Sequence, residues 1–131
     1  MTEFTQIDPT LKDFLLSLPV PTITATLAAR GIANGFLAGL MPIDPENARF
    51  VATAYTVRAL PTREDLLMAV SEGKAPNLHR QAMREVAEGQ VIVTDCGGDR
   101  GISFFGELIS TYLARKGVAA IVTDAGIAGI A

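Results

Sequence analysis

"QVIVTDCGGDRGISFFGELISTYLARKGVAAIVTD", residues 90–124, decides the fold. "QVIVTD" is a short apolar, β-branched run of the kind that forms a buried strand. "CGGDRGIS" is a glycine-rich loop, "FFGELISTYLARKG" has helical spacing, and "VAAIVTD" is a second buried strand. Strand, loop, helix and strand in this order predict an α/β fold with a C-terminal βαβ unit and a right-handed crossover. Parallel strands finish on one edge of their sheet, so Asp124 and the "CGGDRG" elbow are expected to be neighbours.

A glycine-rich turn after a strand, opening a helix, is where α/β proteins bind ligands. The free N–H groups and positive dipole end of the helix favour an anion, and glycine lets backbone approach it closely. A small carboxylate or phosphate is therefore the expected guest. The familiar phosphate loops do not fit: Gly97, Gly98 and Gly101 lack G-x-G-x-x-G spacing, and there is no G-K-[ST].

Phe104, Phe105, Leu108, Ile109, Tyr112 and Leu113 are expected to share the apolar face of the predicted helix, for core packing. Gly106 and Glu107 lie off that face. Glu107 suits either the electrostatics of a helix N-terminus or a divalent cation beside the anion. Asp124 and Asp95 each suit either a turn cap or a site. Asp99 and Arg100 read as a loop pair in water, with Arg100 able to reach a carboxylate. Cys96 reads as a small buried residue, and the single histidine, His79, is the one imidazole that could activate it.

Upstream, Asp8-Pro9 is a helix start, with Asp as N-cap and Pro in the first turn. Leu11, Phe14, Leu15 and Leu18 follow at helical spacing, and Pro19 and Pro21 stop the run. "TITATLAARG" (22–31) predicts a second helix with Gly31 in the C-cap position, and "RFVATAYTVRAL" (49–60) a strand ended by Pro61. "TREDLLMAVSEG" (62–73) reads equally as helical turn or loop. "PNLHRQAMREVAEG" (76–89) predicts a helix. The uncharged end "AGIAGIA" (125–131) carries no stop signal, which points to a fragment of a longer protein or to an end buried in a subunit contact.

The chain has 131 residues, 49% hydrophobic and 19% charged, which suits a single globular domain. A formal net charge of −3 argues against direct nucleic-acid binding, which needs a concentrated basic surface. Lys74, His79, Arg80 and Arg84 gather mildly and read as a solvated helix face. One cysteine excludes an intramolecular disulfide, and one histidine excludes a His-rich metal site. "MTEFTQIDPTLKDF" has no secretory pattern, and no apolar stretch reaches the ~18 residues of a membrane span. A soluble, cytoplasmic protein is the expectation.

"FVATAYTVRALPTREDL" (50–66), "GQVIVTDCGGD" (89–99) and "FGELISTYLARKGVAAIVTDAG" (105–126) stand in the order of the RraA-like family, and "TITATLAARG" resembles its N-terminal segment. The resemblance covers roughly residues 20–127. That family includes regulators of ribonuclease E and divalent-metal pyruvate aldolases acting on 4-hydroxy-4-methyl-2-oxoglutarate. The resemblance implies a layered, swivelling β/β/α-type domain with a mixed sheet, the C-terminal part of the family fold apparently missing. It also implies assembly as a trimer or hexamer, Mg²⁺ or Mn²⁺ as cofactor, and a small 2-oxo acid such as pyruvate as substrate. The activities implied are retro-aldol cleavage and oxaloacetate decarboxylation, with a non-catalytic ribonuclease-binding regulator or a degenerate pyruvate- or oxalate-binding subunit as alternatives.

In the aldolases a G-[DEN]-L-[LI] segment binds the pyruvate carboxylate; here it matches Gly106, Glu107, Leu108 and Ile109. The resemblance makes Glu107 and Asp124 the metal-site residues. These enzymes then carry a D-G-x-x-R-D run whose arginine stabilises the enolate and whose last aspartate ligates the metal. This chain reads "TDAGIAG", with Ala128 and Gly129 at those two positions. Losing such a charge costs on the order of several kcal/mol of barrier.

Overall fold

The computed structural model describes residues 6–59 and 63–129, and of Leu78 the backbone alone. The chain divides into two compact units, residues 1–53 and 54–131.

In the N-terminal unit, α1 spans Pro9–Ser17. The Asp8 side chain accepts a hydrogen bond from the Leu11 N–H at 3.1 Å, and Pro9 occupies the first turn, as the sequence predicts. Leu18 turns to extended backbone and ends the helix. Proline then works in the other direction: Pro21 stands in the first turn of α2, Val20–Ala29, which therefore starts two residues before the predicted segment. Arg30 is the C-cap, and Gly31 follows it in the left-handed region. The Arg49 guanidinium reaches back to the terminal carbonyls of α1, donating to Leu16 and to Leu18. No described residue of this unit is buried.

The C-terminal unit holds the core. Its first strand, β1 (Ala54–Arg58), is shorter than predicted; Leu60 and Pro61 lie outside the described residues. The undecided segment is a helix, α3 (Glu64–Ser71), and α4 spans Leu78–Glu85 with the Asn77 side chain capping the Arg80 N–H at 2.9 Å. Strand β2 (Val91–Asp95) lies between β1 and β4 (Ala120–Thr123), parallel to both. Val91 and Ile92, which point to opposite faces of the sheet, are both buried, so this strand is covered on both faces and its Val-Ile-Val run is continuous.

The predicted helix from Phe104 onward begins later. Ser103–Gly106 is a strand, β3, and α5 spans Glu107–Arg115. Strand β3 pairs with β5 (Gly126–Ala128), so part of the uncharged end 125–131, to which the sequence assigns no element, forms a short parallel ladder: Ser103 with Gly126, Phe105 with Ile127, Gly106 with Ala128. All strand pairings among the described residues are parallel, in place of the mixed sheet expected. The predicted apolar helix face is corrected accordingly. Phe105 and Leu113 are buried, and Phe104 and Ile109 pack against the core. Leu108 is 87% exposed and Tyr112 is also turned outward.

The core joins Ala82, Met83 and Val86 of α4 and its end to Ile92, Phe105 and Leu113. Two polar latches fasten α4 to this unit. The Tyr55 hydroxyl donates to Glu85 at 2.8 Å, and Lys116 Nζ donates to the carbonyls of Met83 and Arg84 at 3.1 and 2.6 Å. Among the described residues no helix is long and apolar enough to cross a membrane.

Candidate functional site

Asp124 and the elbow meet, as parallel strand ends require. Asp124 accepts hydrogen bonds from the Cys96 N–H at 2.7 Å and, with its other carboxylate oxygen, from the Gly98 N–H at 2.6 Å. The Cys96 N–H, partly offset by desolvation and reinforced by the Gly98 N–H, holds the Asp124 carboxyl below the usual carboxylate range. Gly97 and Gly98 have φ of 68° and 72°, a left-handed pair that bends the backbone around this carboxylate and that side chains with a Cβ rarely adopt.

The remaining elbow acids also turn inward. Asp95 accepts from the Gly97 N–H at 3.0 Å and pairs with Arg58 at 3.3 Å. Asp99 accepts from the Gly101 N–H at 2.9 Å instead of pairing with Arg100, which makes no ion pair among the described residues. The elbow that looked open to an anion is thus filled by the protein's own carboxylates.

Cys96 is buried, and burial first, then the Asp124 charge, push its thiol up, which disfavours the thiolate a nucleophile needs. His79 lies elsewhere. Its ring sits edge-on to Phe104 with centroids 4.6 Å apart, its Nε2 is buried without a hydrogen-bond partner, and no hydrogen bond among the described residues joins it to Cys96.

From Asp124 the chain runs along β3 to a second place. The Gly126 N–H donates to the Ile102 carbonyl at 2.9 Å; a Cβ at 126 would stand 3.0 Å from that oxygen, so the close approach requires glycine. Gly106 is the N-cap of α5, in extended backbone with no side chain capping the helix. The first-turn N–H groups of Glu107, Leu108 and Ile109 have no intrahelical partner and point where an anion is favoured. Ala128 is registered with Gly106, and a Cβ on Gly129 would stand 3.6 Å from the Glu107 Cβ and 3.9 Å from its amide nitrogen. The structure therefore brings the two substituted positions to the segment 106–109. Sequence reasoning ran residues 104–109 into one helix and missed that the four-residue strand β3 leads into it; the aromatic pair Phe104-Phe105 was the available signal.

The cation implied for Glu107 and Asp124 does not fit the residues present. Among the described residues no three His, Cys, Asp or Glu side chains gather to hold a metal ion. Both Asp124 oxygens are engaged by backbone amides, and Gly129 offers no side chain. Glu107 alone is left, with no hydrogen bond or ion pair among the described residues.

A parallel-strand α/β unit, with a carboxylate-filled elbow beside an uncapped helix N-terminus, is the class that fold and site define. Residues 20–128 match the RraA-like family profile (Aldolase/RraA), and the chain belongs to that family. Solved structures similar to it include the following two. RraAS2 of Streptomyces coelicolor, described as an unusual member of the RNase ES inhibitor RraA protein family, is 25% identical with a TM-score of 0.73, covering 95% of this chain and 57% of that one. An uncharacterized protein from Pseudomonas syringae pv. tomato str. DC3000 shares the fold at 22% identity, with a TM-score of 0.68, over 95% of this chain and 51% of that one. The chain thus spans little more than half the length of either. No curated protein matches it.

Proposed function

We propose that this chain is a pyruvate-lyase-type protein that receives the carboxylate of a small 2-oxo acid at the N-terminus of α5. The observation that carries the reading is the uncapped first turn at Gly106, with Ala128 and Gly129 laid against it. There the N–H groups of Glu107, Leu108 and Ile109 would orient the carboxylate, and exposed Leu108 would border it. The chemistry such a site serves in the family's lyases is retro-aldol cleavage of 4-hydroxy-2-oxo acids and decarboxylation of oxaloacetate. In the family this uses Mg²⁺ or Mn²⁺, an arginine and an aspartate. This chain supplies neither side chain at 128 and 129, so binding without turnover is the outcome its own residues favour. We read residues 1–131 as one RraA-like domain, because the family match over residues 20–128 crosses the division after residue 53. A cytoplasmic protein assembled as a trimer or hexamer belongs to the same proposal.

The test is pyruvate release from oxaloacetate by the purified chain, with Mg²⁺ and with EDTA, beside an Ala128→Arg, Gly129→Asp double variant. Oxalate binding by both proteins and turnover by the variant alone is the expected result. No binding of oxalate or pyruvate by either protein overturns the reading. A second reading, a non-catalytic regulator that binds a ribonuclease, is favoured by the likeness to RraAS2; it predicts retention of a ribonuclease without any metal requirement.

A further inference from the structure

We propose that Asp124 is a positioning residue that serves as a built-in anion, filling the amide cradle of the glycine elbow and so fixing the strand that brings Gly129 to the start of α5. Four elbow amides, those of Cys96, Gly97, Gly98 and Gly101, donate to aspartate side chains. Two of these bonds are local, made by Asp95 and Asp99 two residues away. The other two go to Asp124, which comes from the end of β4, 28 and 26 residues along the chain. Asp124 therefore ties two elbow amides directly to the end of β4, whereas Asp95 reaches β1 only through its ion pair with Arg58.

The course of the chain beyond Asp124 depends on where that carboxylate is held. Two residues on, the Gly126 amide reaches Ile102; then Ala128 is registered with Gly106 and Gly129 abuts Glu107. The chemistry of the position is specific. The two N–H donors go to separate acceptor oxygens, which a carboxylate supplies. Asparagine has one, and its NH₂ would face a donor. Charge-assisted bonds of this kind are shorter and stronger than neutral ones. The clamp stands apart from the proposed function; only its service to the α5 site rests on that reading.

Asp124→Ala leaves a carboxylate-sized gap that formate can refill. The expected result is an unfolding midpoint lowered by about 5–10 °C. Formate at a few hundred millimolar should restore roughly half of that, where equal chloride does not. In amide spectra of the same variant, the Glu107 and Gly129 signals move and then return with formate. Hydrogen exchange on the unmodified protein gives an independent answer if the variant does not fold. The Cys96 and Gly98 amides should exchange at least tenfold more slowly than that of Arg100. A midpoint unchanged by the substitution, repair by chloride equal to that by formate, or a Gly98 amide as fast as that of Arg100 would each overturn the proposal. Formate added to the unmodified protein separates the two ideas: shifts at Leu108 and Ile109 report the proposed α5 pocket, and their absence counts against that pocket while leaving the clamp standing.

Discussion

The two units of the chain use the same local grammar and reach different ends. In the C-terminal unit α4 turns Ala82 and Met83 into a core shared with Ile92, Phe105 and Leu113. In the N-terminal unit α1 has an equally regular apolar stripe, a good N-cap and a proline in its first turn, yet neither α1 nor α2 buries a residue. Phe14, Phe36, Leu37 and Met41 are among its exposed side chains. Caps and spacing are enough to specify a helix; burial needs an opposing surface.

The sharpest way to break this contrast is to truncate one aromatic in each unit. Phe105 is 1% exposed and should cost about 3–5 kcal/mol as alanine, through lost transfer energy and an unfilled cavity. Phe36, 63% exposed, should change monomer stability by no more than about 0.5 kcal/mol. Denaturant unfolding at low protein concentration measures both. Comparable losses would mean that the N-terminal unit is covered in solution and that the two units are alike after all.

Smaller in effect is the latch at Lys116. Its ammonium caps the last carbonyls of α4, where the helix dipole is negative. Lys116→Met keeps the aliphatic stem, removes the charge and should cost about 1 kcal/mol, read as a shift in the denaturant midpoint at constant slope. An unchanged midpoint would show that packing alone docks α4.

The same contrast governs what the sequence made legible. Strands β2 and β4 could be read from their β-branched runs, and the meeting of Asp124 with the elbow followed from parallel strand ends. The helix start at Asp8-Pro9 was legible because capping is a local interaction. Strands β3 and β5 were not. Their few residues gain strand geometry mainly from pairing with each other, and Phe104-Phe105 fits a helix face as well as a strand. Leu108 and Tyr112, four residues apart, imitate a core stripe while facing solvent. At the candidate site, the run Gly106–Ile109 came from the family resemblance, and its role belongs to the proposal. That the elbow amides would be consumed by Asp95, Asp99 and Asp124 could not be read from the residues, because it depends on which way three carboxylates turn.

The smallest effect is acid sensitivity, which both units share: in the N-terminal unit the Asn47 side chain holds the Asp44 carboxyl below its usual range, and the C-terminal unit holds two such carboxyls. The Gln81 side-chain amide, and next the Tyr55 hydroxyl, hold the Glu85 carboxyl below its usual range, as the Cys96 and Gly98 amides do for Asp124. A carboxyl depressed on folding favours the folded state at any pH above its unfolded value, about 4. That contribution fades as pH falls through the lower folded value. Tyr55 is raised, chiefly by burial and then by its bond to Glu85, so its contribution is present below pH ~10 and fades as pH rises through its folded value. Glu85→Gln should therefore flatten both the acid and the alkaline edges of the stability profile, and Asp124→Asn the acid edge alone. Unfolding midpoints from pH ~2.5 to ~11 would show this, and an alkaline edge unmoved in Glu85→Gln would detach Tyr55 from the latch that holds α4 to its sheet.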